Sequence, residues 1–307
     1  APPRSVSEIR TANRYVVVGA GGQLGFDLVR TFALPGELVR LGRADIDVLD
    51  TARAREVLRS LRPTHVLNTA AYNQVDRAED DRAAAFALNA EAVGTLASAV
   101  EELGATLVHF SSDYVFDGRK GSPYAEDDTP NPLNVYGESK LAGERLARAR
   151  CERTFVFRVC GLFGVATSRG KGGTNFVETM LRLAGEDKPI RVVTDQVLAP
   201  SFTLDLARKV WHVVATDAYG IYHLTNAGQT SWYDFAREVF RLSGLRPVVT
   251  PVTSAELGAR ARRPAFSVLA HRGLAGLGLD DLQPWADALA AYLAERGADA
   301  SSSSSPR

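Results

Sequence analysis

Between residue 15 and about residue 160 the chain alternates short, continuously apolar runs with stretches whose apolar residues recur every three or four positions. The apolar runs are rich in β-branched residues and predict five strands, at 15–19 (YVVVG), 37–41 (ELVRL), 65–70 (HVLNTA), 106–111 (TLVHFS) and 154–159 (TFVFRV). The stretches between them predict helices that begin near Gln23, Thr51, Arg82 and Val135. The third carries Ala85, Leu88, Ala92, Leu96 and Val100 along one stripe. Strands that are apolar along their whole length, flanked by amphipathic helices, imply a parallel sheet covered on both faces. The expected fold class is therefore α/β, with a Rossmann-like doubly wound parallel sheet.

Beyond residue 160 the alternation loosens. The order expected there is a glycine-rich loop (GVATSRGKGGTN, 164–175) followed by a helix, a strand at 190–195, a helix starting near Leu204 and a strand at 220–226. A helix opening at Ser231, a strand at 248–253 and a final helix over about 284–295 complete the pattern. Residues 15–160 plus 201–224 are expected to form a dinucleotide-binding domain. Residues 161–200 plus 225–296 are expected to form a smaller α/β lobe that closes over the carboxyl ends of the strands, where open α/β sheets bind ligands. Residues 1–14 and 297–307, the latter ending in SSSSSPR, read as flexible tails.

The 307 residues are 45% hydrophobic and 23% charged, enough for a large core and unlike a disordered chain. Lys+Arg and Asp+Glu both number 36, so the net charge is zero and no nucleic-acid or other polyanionic partner is implied. Cys151 and Cys160 lie outside any metal or disulfide spacing, which suits a reducing compartment. No apolar run approaches the ~20 residues of a membrane span, and the opening APPRSVSEIRTANR lacks the apolar core of a signal peptide. A soluble cytoplasmic protein without a membrane partner is expected. The first residue is Ala and the one methionine is Met180, which suits a processed or trimmed start.

The first strand runs into Gly19-Ala20-Gly21-Gly22-Gln23-Leu24-Gly25 and then a helix. In a dinucleotide site the first glycine permits the tight turn, the middle one lets backbone N–H groups approach a pyrophosphate, and the last lets helix and sheet pack closely. The helix N-terminus adds partial positive charge there. A plain strand-to-helix turn would account for the glycines equally, but the position at the first β–α turn favours the cofactor reading. At the end of the second strand both Arg43 and Asp47 are present. An arginine accommodates a 2′-phosphate and an acid binds a free 2′-hydroxyl. Arg43 comes first, so NADPH is expected and NADH stays open, as does Arg43 as a solvated loop charge.

Tyr136 and Lys140 stand four apart in helical spacing, on one helix face. A phenol of ordinary pKa near 10 is a sluggish acid or base at neutral pH. An ammonium ~4 Å away at an effective dielectric constant of ~20 favours the phenolate by roughly 4 kcal/mol. Such a pair also arises by chance in helices. Here it follows a strand ending in Phe110-Ser111-Ser112-Asp113-Tyr114, whose serine hydroxyl can meet a carbonyl oxygen opposite the tyrosine.

These residues resemble the extended short-chain dehydrogenase/reductase family, and within it the dTDP-4-dehydrorhamnose reductases. The resemblance runs from Tyr15 to about Leu293 on GAGGQLG (19–25), NTAAYNQVDRAE (68–79), SSDYVFDG (111–118), YGESKLAGE (136–144), NFVETMLRLA (175–184), DQVLAPSFTLDLA (195–207), GIYHLTNAG (220–228) and RRPAFSVL (262–269). It implies hydride transfer to C4 of a dTDP-4-keto-6-deoxy sugar, giving dTDP-L-rhamnose, with Tyr136 as proton donor. Lys140 would hold the nicotinamide ribose and lower the tyrosine pKa, while Ser112 would orient the keto group. It implies that Ala70, Ala71 and Tyr72 lie along the cofactor. Asp113 and Tyr114, beside Ser112, are expected at the substrate. Asn89 matches a helix position that reads as a structural bridge.

In the later lobe, Asn175 and Phe176 open a helix suited to a sugar diphosphate, and Arg263 could supply its positive charge or serve a structural ion pair. Gln196 and Val197 would line the sugar pocket, Val197 equally as a core residue. One position departs: where the subfamily usually has tryptophan after the fifth strand, this chain has Gly161. The resemblance also raises Mg²⁺, but no acidic cluster offers a place for it, and it is compatible with a homodimer. Two alternatives stay open, a reductase of another dTDP-4-keto-deoxysugar and a non-catalytic NADP-binding regulatory subunit such as the β-subunit of methionine adenosyltransferase.

Overall fold

The computed structural model describes residues 12–166, 174–186 and 188–303. β1 (Arg14–Val18), α1 (Gln23–Arg30), β2 (Glu37–Leu41), α2 (Thr51–Leu61) and β3 (His65–Asn68) open the chain. A short α3 (Val75–Ala78) and a long helix follow. The long helix comprises α4 (Arg82–Phe86), one widened π turn at Ala87–Glu91 and α5 (Ala92–Glu102). Next come β4 (Thr106–Ser112), α6 (Val135–Arg150), β5 (Thr154–Val159) and the short β6 (Leu162–Phe163). The later part holds α7 (Phe176–Leu183), β7 (Ile190–Val193), β8 (Val197–Leu198), β9 (Ser201–Phe202), α8 (Thr203–Val214), β10 (Gly220–His223) and β11 (Thr230–Ser231). It closes with α9 (Trp232–Leu242), β12 (Val249–Val252), α10 (Ser254–Leu257), α11 (Arg272–Gly276) and α12 (Trp285–Ser303).

Six strands form one parallel sheet in the order β10-β5-β4-β3-β1-β2. The chain leaves β1 on one side to make β2 and returns on the other side to make β3. The crossovers therefore diverge at β1 and leave a crevice at the carboxyl ends of β1 and β3, a switch point of the 2-1-3-4-5 kind. Alternation along β1 shows why the sheet is covered twice. Tyr15 and Val17 join a core with Leu28, Phe157 and Trp211, whereas Val16 and Val18 join another with Leu58, Val93 and Val100. A separate cluster in the later segments, around Phe163, Val177, Phe202, Phe235 and Tyr292, faces the carboxyl ends.

Local chemistry fixes the helix starts that matter for the site. Asn134 caps α6 by accepting from the Gly137 N–H at 2.8 Å, and Ser231 caps α9 through the Asp234 N–H at 3.0 Å. The predicted third strand stops at Asn68 rather than at residue 70. The Asn68 side chain takes the Ala70 N–H at 3.2 Å and turns the chain out of the ladder. The predicted third helix contains the π turn, a device that helical periodicity does not reveal. It aims Asn89 inward, where its amide receives the Tyr72 N–H at 2.8 Å and donates to the Tyr72 carbonyl at 3.1 Å and to Ser139 at 2.9 Å. Asn89 is thus the helix–strand bridge of the structural reading.

Two expectations need correction. The helix Arg82–Glu102 is, by length and mean hydropathy of 1.4, apolar enough to cross a membrane, although no such run was anticipated. Its apolar window is 56% buried inside the protein, with Val93, Leu96 and Val100 in the core beneath the sheet, so it is a core helix. The tail expected from residue 297 instead continues α12 as far as Ser303, where Ala298 and Ala300 favour helix. At the other end Arg14 already pairs with Glu37 in the β1–β2 ladder. Residues 1–11 and 304–307 of the expected tails lie outside the described residues.

Beneath the crevice, Arg158 of β5 and Glu144 of α6 form a two-pronged ion pair at 2.9 and 2.8 Å, with side chains only 2% and 3% exposed. The Phe116 ring covers the guanidinium at 5.1 Å. Removing one member strands the other charge in the core. Arg158→Met is expected to lower unfolding stability by about 3–5 kcal/mol. The Arg158→Met, Glu144→Leu double variant should be less destabilised than either single one in urea denaturation; equal losses in all three would refute the pairing argument.

Candidate active site

The crevice is a continuous cleft of about 410 Å³ that reaches from the glycine turn to the later lobe. Its first wall follows from backbone geometry. Gly19 has φ +81°, and a Cβ there would lie 2.6 Å from Thr69 Oγ1 and 3.1 Å from the Ala70 nitrogen. A Cβ on Gly25 would overlap the Gly19 carbonyl. Any side chain at these two places would push α1 away from the strand ends. No side chain caps α1, whose preceding residue is Gly22, so its first-turn N–H groups remain available to an anion in the cleft. Gly21, Gln23 and Leu24 line the same wall.

At the tip of β2 the structure separates the two charges that the sequence left in competition. Arg43 is exposed and lines the cleft beside Gly42. Asp47 does not line it. The chain folds back through Asp45 and Ile46, whose N–H groups both bond the Gly42 carbonyl, and the Asp47 carboxylate takes the Leu49 N–H at 3.0 Å. From β3, Ala70 and Ala71 line the cleft, together with Thr69, which the sequence reading missed.

The ends of β4 and α6 bring Ser112, Asp113, Tyr114, Tyr136 and Lys140 to the middle of the cleft. Lys140 is buried, with Nζ donating to the Phe110 carbonyl at 2.6 Å. Burial pulls its pKa down to about 8, against the charge of Glu144, which raises it. Ser112 donates to Asp113 at 3.0 Å and accepts the Tyr114 N–H at 3.2 Å. Burial pushes the Tyr136 phenol well up, the Ser112 hydrogen bond lowers it, and Asp113 and Cys160 raise it further. The lowering of this pKa expected from Lys140 does not appear: the shift is upward, and burial is its largest cause. The consequence is chemical: Tyr136 holds its proton more firmly than a free phenol and stands in the cleft in its protonated form.

Asp113 is itself raised by burial, opposed by donors from Ser267, Cys160 and Ser112. The Cys160 thiol lies 3.0 Å from its carboxylate and is pushed far up by burial, so it is no nucleophile. Two buried polar groups on the opposite face of β4, the Ser111 hydroxyl and the His109 ring, have no protein partner. Burial and the Lys140 charge keep His109 neutral.

The far wall comes from the later lobe, with Phe176, Gln196, Val197, Leu198 and Trp232. Besides Asp47, three expected contributors are not on the cleft wall. Tyr72 is held by Asn89 through both backbone groups. Asn175 spends its amide on capping α7 at the Glu178 N–H (3.0 Å) and on the Gly164 carbonyl (3.1 Å). Arg263 makes a two-pronged pair with Asp76 at 3.1 and 2.7 Å, which offsets the positive charge proposed for a diphosphate. Residues 167–173 of the expected glycine-rich loop lie outside the described residues. Among the described residues no group of three or more His, Cys, Asp or Glu is placed to hold a metal ion.

Sequence reasoning missed Cys160, Ser267 and Trp232. Trp232 opens an amphipathic helix and reads as core from its spacing alone.

A profile described as the RmlD substrate binding domain matches residues 13–297. A dTDP-4-dehydrorhamnose reductase of Streptomyces griseus is 40% identical over 284 residues, covering 90% of this chain and 91% of that protein. A dTDP-4-keto-6-deoxy-D-glucose reductase of Streptomyces niveus is 37% identical over 281 residues, covering 90% of this chain and 95% of that one. Among solved structures, the dTDP-4-dehydrorhamnose reductase of Bacillus anthracis in complex with NADP superposes with a TM-score of 0.88 at 34% identity, covering 93% of this chain and all of that one.

The buried ammonium carries a stability cost with a defined sign. The folded-state pKa of Lys140, about 8, lies below the ordinary 10.5, so the cost is full below pH 8 and fades as pH rises towards 10.5. Lys140→Met should therefore be more stable than the wild type at pH 7, by up to roughly 3 kcal/mol. Urea denaturation should find the gap narrowing by pH 10; a variant less stable at pH 7 would overturn this account.

Proposed function

The chain belongs to the RmlD substrate binding domain family, and from that premise we propose that it is an NADPH-dependent sugar-nucleotide 4-ketoreductase acting on dTDP-4-dehydro-6-deoxy-L-mannose to give dTDP-L-rhamnose. The observation that carries the reading is the meeting, in one cleft, of an uncapped glycine-turned helix and a half-buried, protonated Tyr136 flanked by Ser112 and Lys140. The glycine cradle fits a dinucleotide, since Cβ atoms at Gly19 and Gly25 would fill it. Arg43 on the cleft, with Asp47 off it, favours the 2′-phosphate of NADP.

NADPH held at the glycine turn would supply a hydride for C4. Tyr136 gives its proton to the carbonyl oxygen as that oxygen gains charge, so C=O becomes CH–OH with one hydride and one proton consumed. Ser112 shares hydrogen bonds with the tyrosine and orients the keto group. Lys140 has three N–H donors and gives one to Phe110. The others are assigned to the ribose of the nicotinamide half. The walls of Phe176, Leu198 and Trp232 exclude water from the reacting carbon.

Reduction of another dTDP-4-keto-deoxysugar is the second reading. It is favoured by Gly161, which leaves bare a place beside the proposed reaction centre. The complete Ser112, Tyr136 and Lys140 set speaks against a purely regulatory NADP-binding role. The reaction draws on soluble nucleotide sugar and NADPH, and a cytoplasmic setting is part of the proposal.

NADPH absorbance should fall when the protein meets dTDP-4-keto-6-deoxy-L-mannose, and no oxidation would reject the reading. Tyr136→Phe should slow turnover by ~10²–10⁴-fold; an unchanged rate would remove Tyr136 as the acid. In direct binding titrations Arg43→Ala should weaken NADPH more than NADH. Equal weakening of both, or none, would remove the basis for the NADPH preference.

A further inference from the structure

The cleft holds an aromatic wall that neither the glycine turn nor the proton-donating group uses. Gly161 has φ +53°, and a Cβ built on it would sit 2.9 Å from Leu198 Cδ1, 3.2 Å from Pro200 Cα and 3.6 Å from the edge of the Trp232 ring. A side chain there would be strained by the backbone and crowded by its neighbours. The ring bordering this bare position comes instead from the first residue of α9, more than sixty residues further along the chain. The Trp232 N–H bonds the Gln196 carbonyl at 3.3 Å. Its ring packs on Phe176, with centroids 4.4 Å apart and planes tilted by 40°, and Phe235 backs it at 6.1 Å. The indole is only partly buried and lines the cleft. It is therefore a braced aromatic surface with a face left for a ligand.

Its place in the cleft says which part of a ligand it meets. Gly161 follows Cys160, whose thiol touches Asp113, and Asp113 in turn holds Ser112. The bare position thus adjoins the proton-donating centre. Next to Trp232 the wall continues as Phe176, Val197 and Leu198, all apolar. A 6-deoxyhexose presents a methyl group and ring C–H bonds that such a wall can cover. A hexose carrying a 6-hydroxyl would lose water from that group and find no partner on these side chains. We propose that Trp232, braced on Phe176, is a specificity-determining residue that packs against the apolar face of the 6-deoxy sugar and selects it over sugars bearing a 6-hydroxyl. This rests on the 4-ketoreductase reading and names the sugar-recognition element of that site.

The test measures binding to the NADP-loaded protein by titration calorimetry, with dTDP, dTDP-L-rhamnose and dTDP-L-mannose, which differs from dTDP-L-rhamnose only by its 6-hydroxyl, as ligands. The wild type should prefer dTDP-L-rhamnose to dTDP-L-mannose. Trp232→Ala should weaken dTDP-L-rhamnose about tenfold or more, in line with loss of an aromatic contact area. Binding of dTDP alone and of NADPH should be unchanged, and Trp232→Phe should recover most of the loss. Unchanged NADPH binding also reports that the Ala variant is folded. Equal weakening of dTDP and dTDP-L-rhamnose would place the ring on the nucleotide instead and overturn the proposal, as would an unaltered preference between the two sugars. A wild type that neither binds dTDP sugars nor oxidises NADPH with the keto substrate would overturn the 4-ketoreductase reading and this inference together.

Discussion

The close approach of α1 to the carboxyl ends of β1 and β3 is the constraint from which the rest of the site follows. It is set by two absent side chains. Gly25 lies against the Gly19 carbonyl, and Gly19 takes a left-handed backbone conformation against Thr69. With the helix start pulled in, its N–H groups face the crevice that the strand order opens beside β1. Thr69 secures the arrangement from the other side, donating to the Val18 carbonyl at 2.8 Å. Bulk at either glycine would displace the helix, and with it the wall that faces Tyr136.

The second determinant is desolvation. In the middle of the cleft Ser112, Asp113 and Lys140 are buried and Tyr114 and Tyr136 half-buried, and burial shifts the titratable groups towards their neutral forms. Tyr136 holds its proton more firmly, Lys140 less firmly, and Asp113 is raised despite the donors around it. For a reductase this is a coherent set, because reduction of a ketone needs an acid rather than a phenolate at the start of the step. The lysine's charge is kept by Glu144 one helical turn away, which is held in turn by Arg158. A structural ion pair and the proposed chemistry are therefore connected through one helix.

Much of this was legible in the chain. The five apolar runs became strands with nearly the predicted limits, since a doubly covered parallel sheet writes continuous hydrophobicity into its strands. The glycine turn and the Tyr136–Lys140 spacing were equally visible, being local: a turn or a helix face brings such residues together whatever the remainder does. Arg43 and Asp47 were not separable, because the turn at Gly42–Ile46 decides which of them reaches the cleft. Arg263 read equally as a cation for a ligand and as a structural ion pair, and its two-pronged partner Asp76, 187 residues away in sequence, was not visible in the spacing. Asn175 read as a ligand and proved to be a helix cap.

The sequence by itself determined the strands of the sheet, the turn that approaches a pyrophosphate and the helix face that carries the acid. Each of these follows from periodicity or from backbone freedom within a few residues. Tertiary structure decided which charges remain free, which way the Tyr136 pKa moves and which aromatic ring stands beside Gly161. Those outcomes depend on partners far apart in sequence and on the exclusion of water. Neither is written in local spacing.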